Sequence, residues 1–164
     1  MTDREDLTPD QQEAARERVV DYDATLDAMH RLEAALAVAA PGRERSWRDD
    51  VLAALATLES VMATEYDNAE QPDSLLSDIK RTQPRLRSQV RGLRMQYGHL
   101  RDAMAALRVE LTTPDDQPGP IPDFGDIRQR LAWLLMALRH HRARESDLVY
   151  EAYFDAFRTN LEPE

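Results

Sequence analysis

The sequence predicts an all-α fold, an antiparallel up-down-up-down four-helix bundle. Three observations carry that reading. Four long segments repeat apolar residues every three or four positions. Glycine is scarce, at 5 in 164 residues. The 9 prolines fall mostly between the periodic segments, where they punctuate helices rather than break them. The helices are expected at about 9–40, 46–70, 84–111 and 126–158, in one domain over 1–164 with short polar tails.

The first helix opens at Thr8, a good N-cap, with Pro9 at the first helical position and Gln11 completing a capping box. Its stripe reads Val19, Tyr22, Leu26, Met29 and Leu36, and Pro41-Gly42 stops it. The second is expected to start at Ser46 as N-cap. Its stripe is Val51, Leu55, Leu58, Met62, Glu65 and Ala69, and Pro72 limits it. A short helical turn from Ser74 to Lys80 follows. The third helix has the cleanest stripe: Leu86, Val90, Leu93, Tyr97, Leu100, Met104, Leu107 and Leu111. Thr112 to Gly125 carries four prolines, a density that no regular element survives. The fourth stripe is Ile127, Leu131, Leu134, Leu138, His141, Glu145, Leu148 and Ala152.

Composition narrows the function. The chain has no cysteine, which excludes disulfides, thiolate metal sites and thiol nucleophiles. Its formal net charge is -10, so nucleic acid is not an expected partner. The start is acidic and polar, unlike a secretory leader, and no apolar run approaches the ~18 residues that span a bilayer. A cytoplasmic protein without a membrane partner is therefore expected. An arginine run, Arg81, Arg85, Arg87, Arg91 and Arg94, reads as a solvated helical face. No H-E-x-x-H, nucleotide loop or Ser/His/Asp pattern marks an enzyme, and an enzyme is the less favoured reading.

The functional signal lies in polar residues on core stripes. A helical residue advances by about 100°. With Ile127 at zero, His141 sits near −40° and Glu145 near 0°, one turn apart and both inward. An imidazole and a carboxylate at i and i+4 can grip one metal ion, or form a buried hydrogen-bonded pair without one. Glu65 and Tyr97 interrupt the stripes of the second and third helices, and His30 lies at the edge of the first. A buried carboxylate needs a partner, because desolvation costs several kcal/mol.

This pattern resembles the hemerythrin-like (HHE cation-binding) family, a four-helix bundle with a non-haem di-iron site in its core. LRHHRARESDLVYEA, residues 138–152, is similar to the fourth-helix motif L-x-x-H-x-x-x-E, and MHRLEAAL, residues 29–36, resembles the first-helix motif. LRMQYGHLRDAMAAL resembles the third-helix region. The ligand set is degenerate. Glu65 stands where the second helix should carry its His, Ala69 where a carboxylate should follow, and Tyr97 where the third helix should carry its His. The resemblance implies iron held through a reduced set, His30, Glu65, His141 and Glu145, with Tyr97 as a cofactor-binding or neighbouring donor. The alternative is a metal-free helical interaction or regulatory module whose polar layer fixes helix register.

The fourth helix also carries a second apolar face, Met136, Tyr150, Tyr153, Phe154 and Phe157. A bundle helix normally buries one stripe, so the second predicts a homodimer through the C-terminal half of this helix.

Overall fold

The computed structural model describes residues 6–112 and 123–159, the side chains only as far as Phe154. The proline-rich expectation over Thr112–Gly125 and the placement of Phe157 lie largely outside the described residues. Within them the chain is all-α: α1 (Pro9–Ala37), α2 (Glu44–Glu70), α3 (Leu75–Thr82), a 3₁₀ turn (Pro84–Leu86), α4 (Arg87–Thr112) and α5 (Phe124–Thr159). The four long helices form a bundle in which α1 packs on α2 and α5, and α4 packs on α2 and α5. Paired residues run in opposite order along neighbours. Asp21 and Thr25 of α1 meet Asn68 and Glu65 of α2, and Glu59 and Glu70 of α2 meet Arg108 and Arg94 of α4.

The helix ends follow local chemistry. Thr8 and Gln11 form the reciprocal capping box, each bonding the other's backbone N–H. The first helix stops at Ala37, three residues short of the expected end. Val38 already takes extended backbone at φ −75°, ψ 135°. Pro41 and Gly42 then make a tight turn in which Gly42 takes φ 77° and Arg43 N donates to Ala40 O at 2.8 Å. Ser46 is not the cap of α2. That helix begins two residues earlier with no side-chain cap, and the Ser46 hydroxyl accepts from Arg43 Nη2. Ser74 caps α3 as expected, accepting from Ser77 N at 3.1 Å. Asp123 caps α5, its Oδ1 accepting from the N–H groups of Gly125 and Asp126.

Two apolar clusters result. The larger joins the C-terminal half of α1, α2, the C-terminal half of α4 and the N-terminal half of α5 around Trp47, Leu58, Met104 and Leu131. The smaller gathers Leu75, Leu76 and Ile79 of α3 with Leu86, Val90, Leu148 and Tyr153 at the other end. The expected α4 stripe is buried throughout. The α1 stripe is rotated from expectation: Val19 is 55% exposed, and the buried line is Thr25, Ala28, Met29, Leu32 and Leu36. Tyr153, expected on the outer face of α5, is instead buried in the smaller cluster beside non-helical backbone at φ −119°, ψ 22°.

Candidate functional site

Between the two clusters lies a polar layer. The 4-3-4 spacing of α2 brings Glu65 inward, one turn beyond Met62, where α1 and α5 both meet it. The Thr25 hydroxyl of α1 donates to Glu65 Oε2. Arg142 of α5 donates through Nη1 to the same oxygen at 3.2 Å. Its Nη2 donates to the Tyr22 carbonyl at 2.7 Å, and its Cζ lies 3.7 Å from the centre of the Tyr22 ring. A buried guanidinium is thus matched by a carboxylate, a carbonyl and a π face. Arg142 Nε has no hydrogen-bond partner among the described residues.

Around this pair, Glu145 accepts from Arg18 Nε at 3.3 Å, and Arg18 also reaches the Ser146 hydroxyl. His141 Nδ1 lies 3.0 Å from Gln96 Oε1, which also accepts from Arg144. An amide oxygen only accepts, so that contact places the imidazole proton on Nδ1. Tyr97 stacks on Tyr66 with ring centres 4.1 Å apart and planes 11° from parallel.

Burial sets the titration. It pushes the Glu65 carboxyl up, and the Thr25 bond and the Arg142 charge pull it part of the way back. Burial pushes the His141 imidazole down, favouring the neutral ring, and only Glu145 opposes it. Burial lifts the Tyr97 phenol to about 12, so it is a neutral hydroxyl at any ordinary pH.

Four of the five candidate residues, Glu65, Tyr97, His141 and Glu145, line one cavity of about 40 Å³, with room for ~3 waters. Leu76 of α3 reaches into its wall, and a second cavity of about 40 Å³ lies on the far side of Glu65 and Glu145. The fifth, His30, does not join them. It lies about 100° past Met29 on α1, faces solvent and lines neither cavity.

Sequence reasoning missed Arg142, Thr25, Arg18 and Gln96. Arg142 carried a signal, since it falls near +60° from Ile127, on the core side of α5.

The donor set does not fit a hemerythrin-like iron centre. Arg142 places a positive charge on the carboxylate that would have to bind the ion, and His30 is on the wrong face. Among the described residues, no group of three or more His, Asp or Glu side chains converges as metal ligands. Among those residues, no helix is long and apolar enough to cross a membrane. No protein-family model, curated protein or solved structure matches the chain.

Proposed function

We propose that the protein is a metal-free helical-bundle interaction or regulatory module, in which the buried polar layer fixes helix register and the outer surfaces do the binding. One observation carries this reading: the Arg142 guanidinium occupies the cation position on Glu65. A metal ion bound there would face a fixed positive charge within a few ångströms, a repulsion that low-dielectric surroundings amplify. Arg142 does for Glu65 what the ion does for a ligating carboxylate. The hemerythrin-like reading, with iron held by His30, Glu65, His141 and Glu145 beside Tyr97, draws its support from the convergence of all but His30 on one cavity.

Elemental analysis of untagged protein separates the two. The metal-free reading expects less than about a tenth of an equivalent of iron, manganese or zinc, before and after anaerobic incubation with ferrous iron. Stoichiometric uptake that Glu65→Gln abolishes would restore the metal reading.

The surface that fits an interaction role best is the outer face of α5, and its proposed occupant is a second copy of the chain in a cytoplasmic homodimer. Trp133 is 63% and Met136 66% exposed, and Tyr150 and Phe154 meet edge-on further along the same face. The start of α1 offers this face no cover, because Ala14 and Ala15 pack on the smaller core instead. Light scattering at micromolar concentration should give about twice the monomer mass, and Phe154→Glu should halve it. Wild-type protein that stays monomeric to about 100 μM overturns the dimer and leaves the metal question untouched.

A further inference from the structure

A chain of net charge -10 gathers five cations around one surface depression of about 580 Å³ between α3 and the start of α4. They are Lys80, Arg81, Arg87, Arg91 and Arg94, and Lys80 is the only lysine in the sequence. Ser77 adds a hydroxyl to the rim and Glu70 a single carboxylate.

Two of the five are neutralised. Arg81 pairs with Asp78 at 2.7 Å. Arg94 Nε lies 2.6 Å from Glu70 Oε1, an ion pair without the alignment of a hydrogen bond. Arg87 is held in place without being neutralised, since its Nε donates to the Lys80 carbonyl at 2.8 Å. Lys80 and Arg91 have no ion pair among the described residues. Three uncompensated positive charges therefore surround the depression, and of the four guanidinium groups two are already oriented by hydrogen bonds and a third by its ion pair.

Helix electrostatics give two of the five cations an ordinary explanation and count against a third. Lys80 and Arg81 lie in the last turn of α3, where the macrodipole favours cations. Arg87 lies in the first turn of α4, where it disfavours a cation, and that turn holds no acid; Arg91 follows one turn later on the same side. Cations placed against the helix dipole, beside other cations, are destabilising until an anion arrives.

We propose that this depression binds a small water-soluble oligophosphate, a ligand with two or more linked phosphate groups. Guanidinium forks match phosphate oxygens in pairs, and the three uncompensated charges match a diphosphate or triphosphate better than a monovalent carboxylate. The pre-set Arg81, Arg87 and Arg94 lower the ordering cost of binding. An extended polyanion such as DNA would run beyond the depression onto the acidic remainder of the surface, which repels it.

The test is calorimetric titration of the whole protein with sodium tripolyphosphate in about 50 mM NaCl, where exposed charges are least screened. One saturable site is expected, at least about tenfold weaker for orthophosphate and weaker again at about 200 mM salt. Lys80→Gln/Arg91→Gln should lower the affinity about tenfold or more. Arg139→Gln, an exposed arginine elsewhere on the bundle, should leave it unchanged, and circular dichroism should show both variants equally helical. No saturable heat by about 10 mM, or equal binding by the double variant, overturns the proposal. It is also overturned if 20-bp duplex DNA, or vesicles of phosphatidylcholine with phosphatidylserine, bind through Lys80 and Arg91 while tripolyphosphate does not.

Discussion

The two ends of the bundle are built on different physics. The end containing Trp47, Leu55, Leu58, Met104, Leu131 and Leu134 is closed by apolar contact, each of these residues being at most 1% exposed. The end containing α3 is smaller and threaded with polar groups. Tyr153 donates to Asp78 at 2.5 Å, Gln11 and Arg81 converge on the same carboxylate, and Gln83 donates to the Ala152 carbonyl where α5 departs from helical geometry. Between the two ends lies the layer of Thr25, Glu65 and Arg142. Apolar packing is proportional to area and forgiving of exact geometry. A buried polar network is stabilising only when every member has its partner.

That contrast orders the expected effects of mutation. The largest belongs to the polar layer. Arg142→Met leaves the Glu65 carboxylate buried beside the Thr25 hydroxyl alone, and should destabilise the fold by about 3–5 kcal/mol. Glu65→Met on the same background should recover most of that loss, because an apolar pair of similar volume is close to neutral. Urea unfolding of the two single variants and the double variant measures it. A double variant as unstable as Arg142→Met would mean that the layer contributes more than mutual neutralisation.

In the apolar end, Leu131→Ala should cost about 2–5 kcal/mol through lost burial and the cavity left behind. No second substitution should rescue it as Glu65→Met rescues Arg142→Met, since no charge is stranded. In the α3 end, Tyr153→Phe removes one of three donors to Asp78 and leaves Gln11 and Arg81 in place. A loss of about 1.5–3 kcal/mol is expected for a hydrogen bond to a charged group, smaller than the stranded charge at Arg142. Thermal melts of the three variants side by side test the order.

The same contrast explains what the sequence makes legible. The α4 stripe from Leu86 to Leu111 is buried residue for residue, because periodicity in apolar residues reports burial directly. Glu65, Tyr97 and His141 were readable as inward for the same reason: each interrupts an apolar repeat. Arg142 was not, although its angle placed it on the core side. An arginine near a stripe normally turns its head to water, and the feature that holds this one inside is Glu65, 77 residues away in the chain. The start of α1 misled for the converse reason. Val19 is apolar and exposed, while Arg18 beside it turns inward to Glu145. His30 reads as the edge of the first stripe because it follows Met29, and one residue of helical rotation carries it to solvent.

The smallest expected effect sharpens the comparison through pH. The folded state holds His141 below its ordinary value of 6.5 because burial disfavours the imidazolium. In the unfolded chain the ring takes up its proton near the ordinary value. Between 6.5 and the lowered folded value the unfolded state therefore binds more protons, and stability falls as pH falls through that window. Glu65 works in the opposite sense. Its folded value is raised above 4.5, so its contribution weakens as pH rises from there. Comparing wild type with His141→Gln cancels Glu65 and isolates the ring. The wild-type Tm should drop more than that of His141→Gln as pH falls below about 7. The difference should be flat above pH 7.5, where both states hold a neutral ring. Parallel curves down to pH 5 would mean that the folded protein protonates His141 as readily as the unfolded chain does, so that the Gln96 side of the cavity is open to solvent. The polar layer would then be a hydrated cleft, and only the Arg142 pair would remain as its dry core.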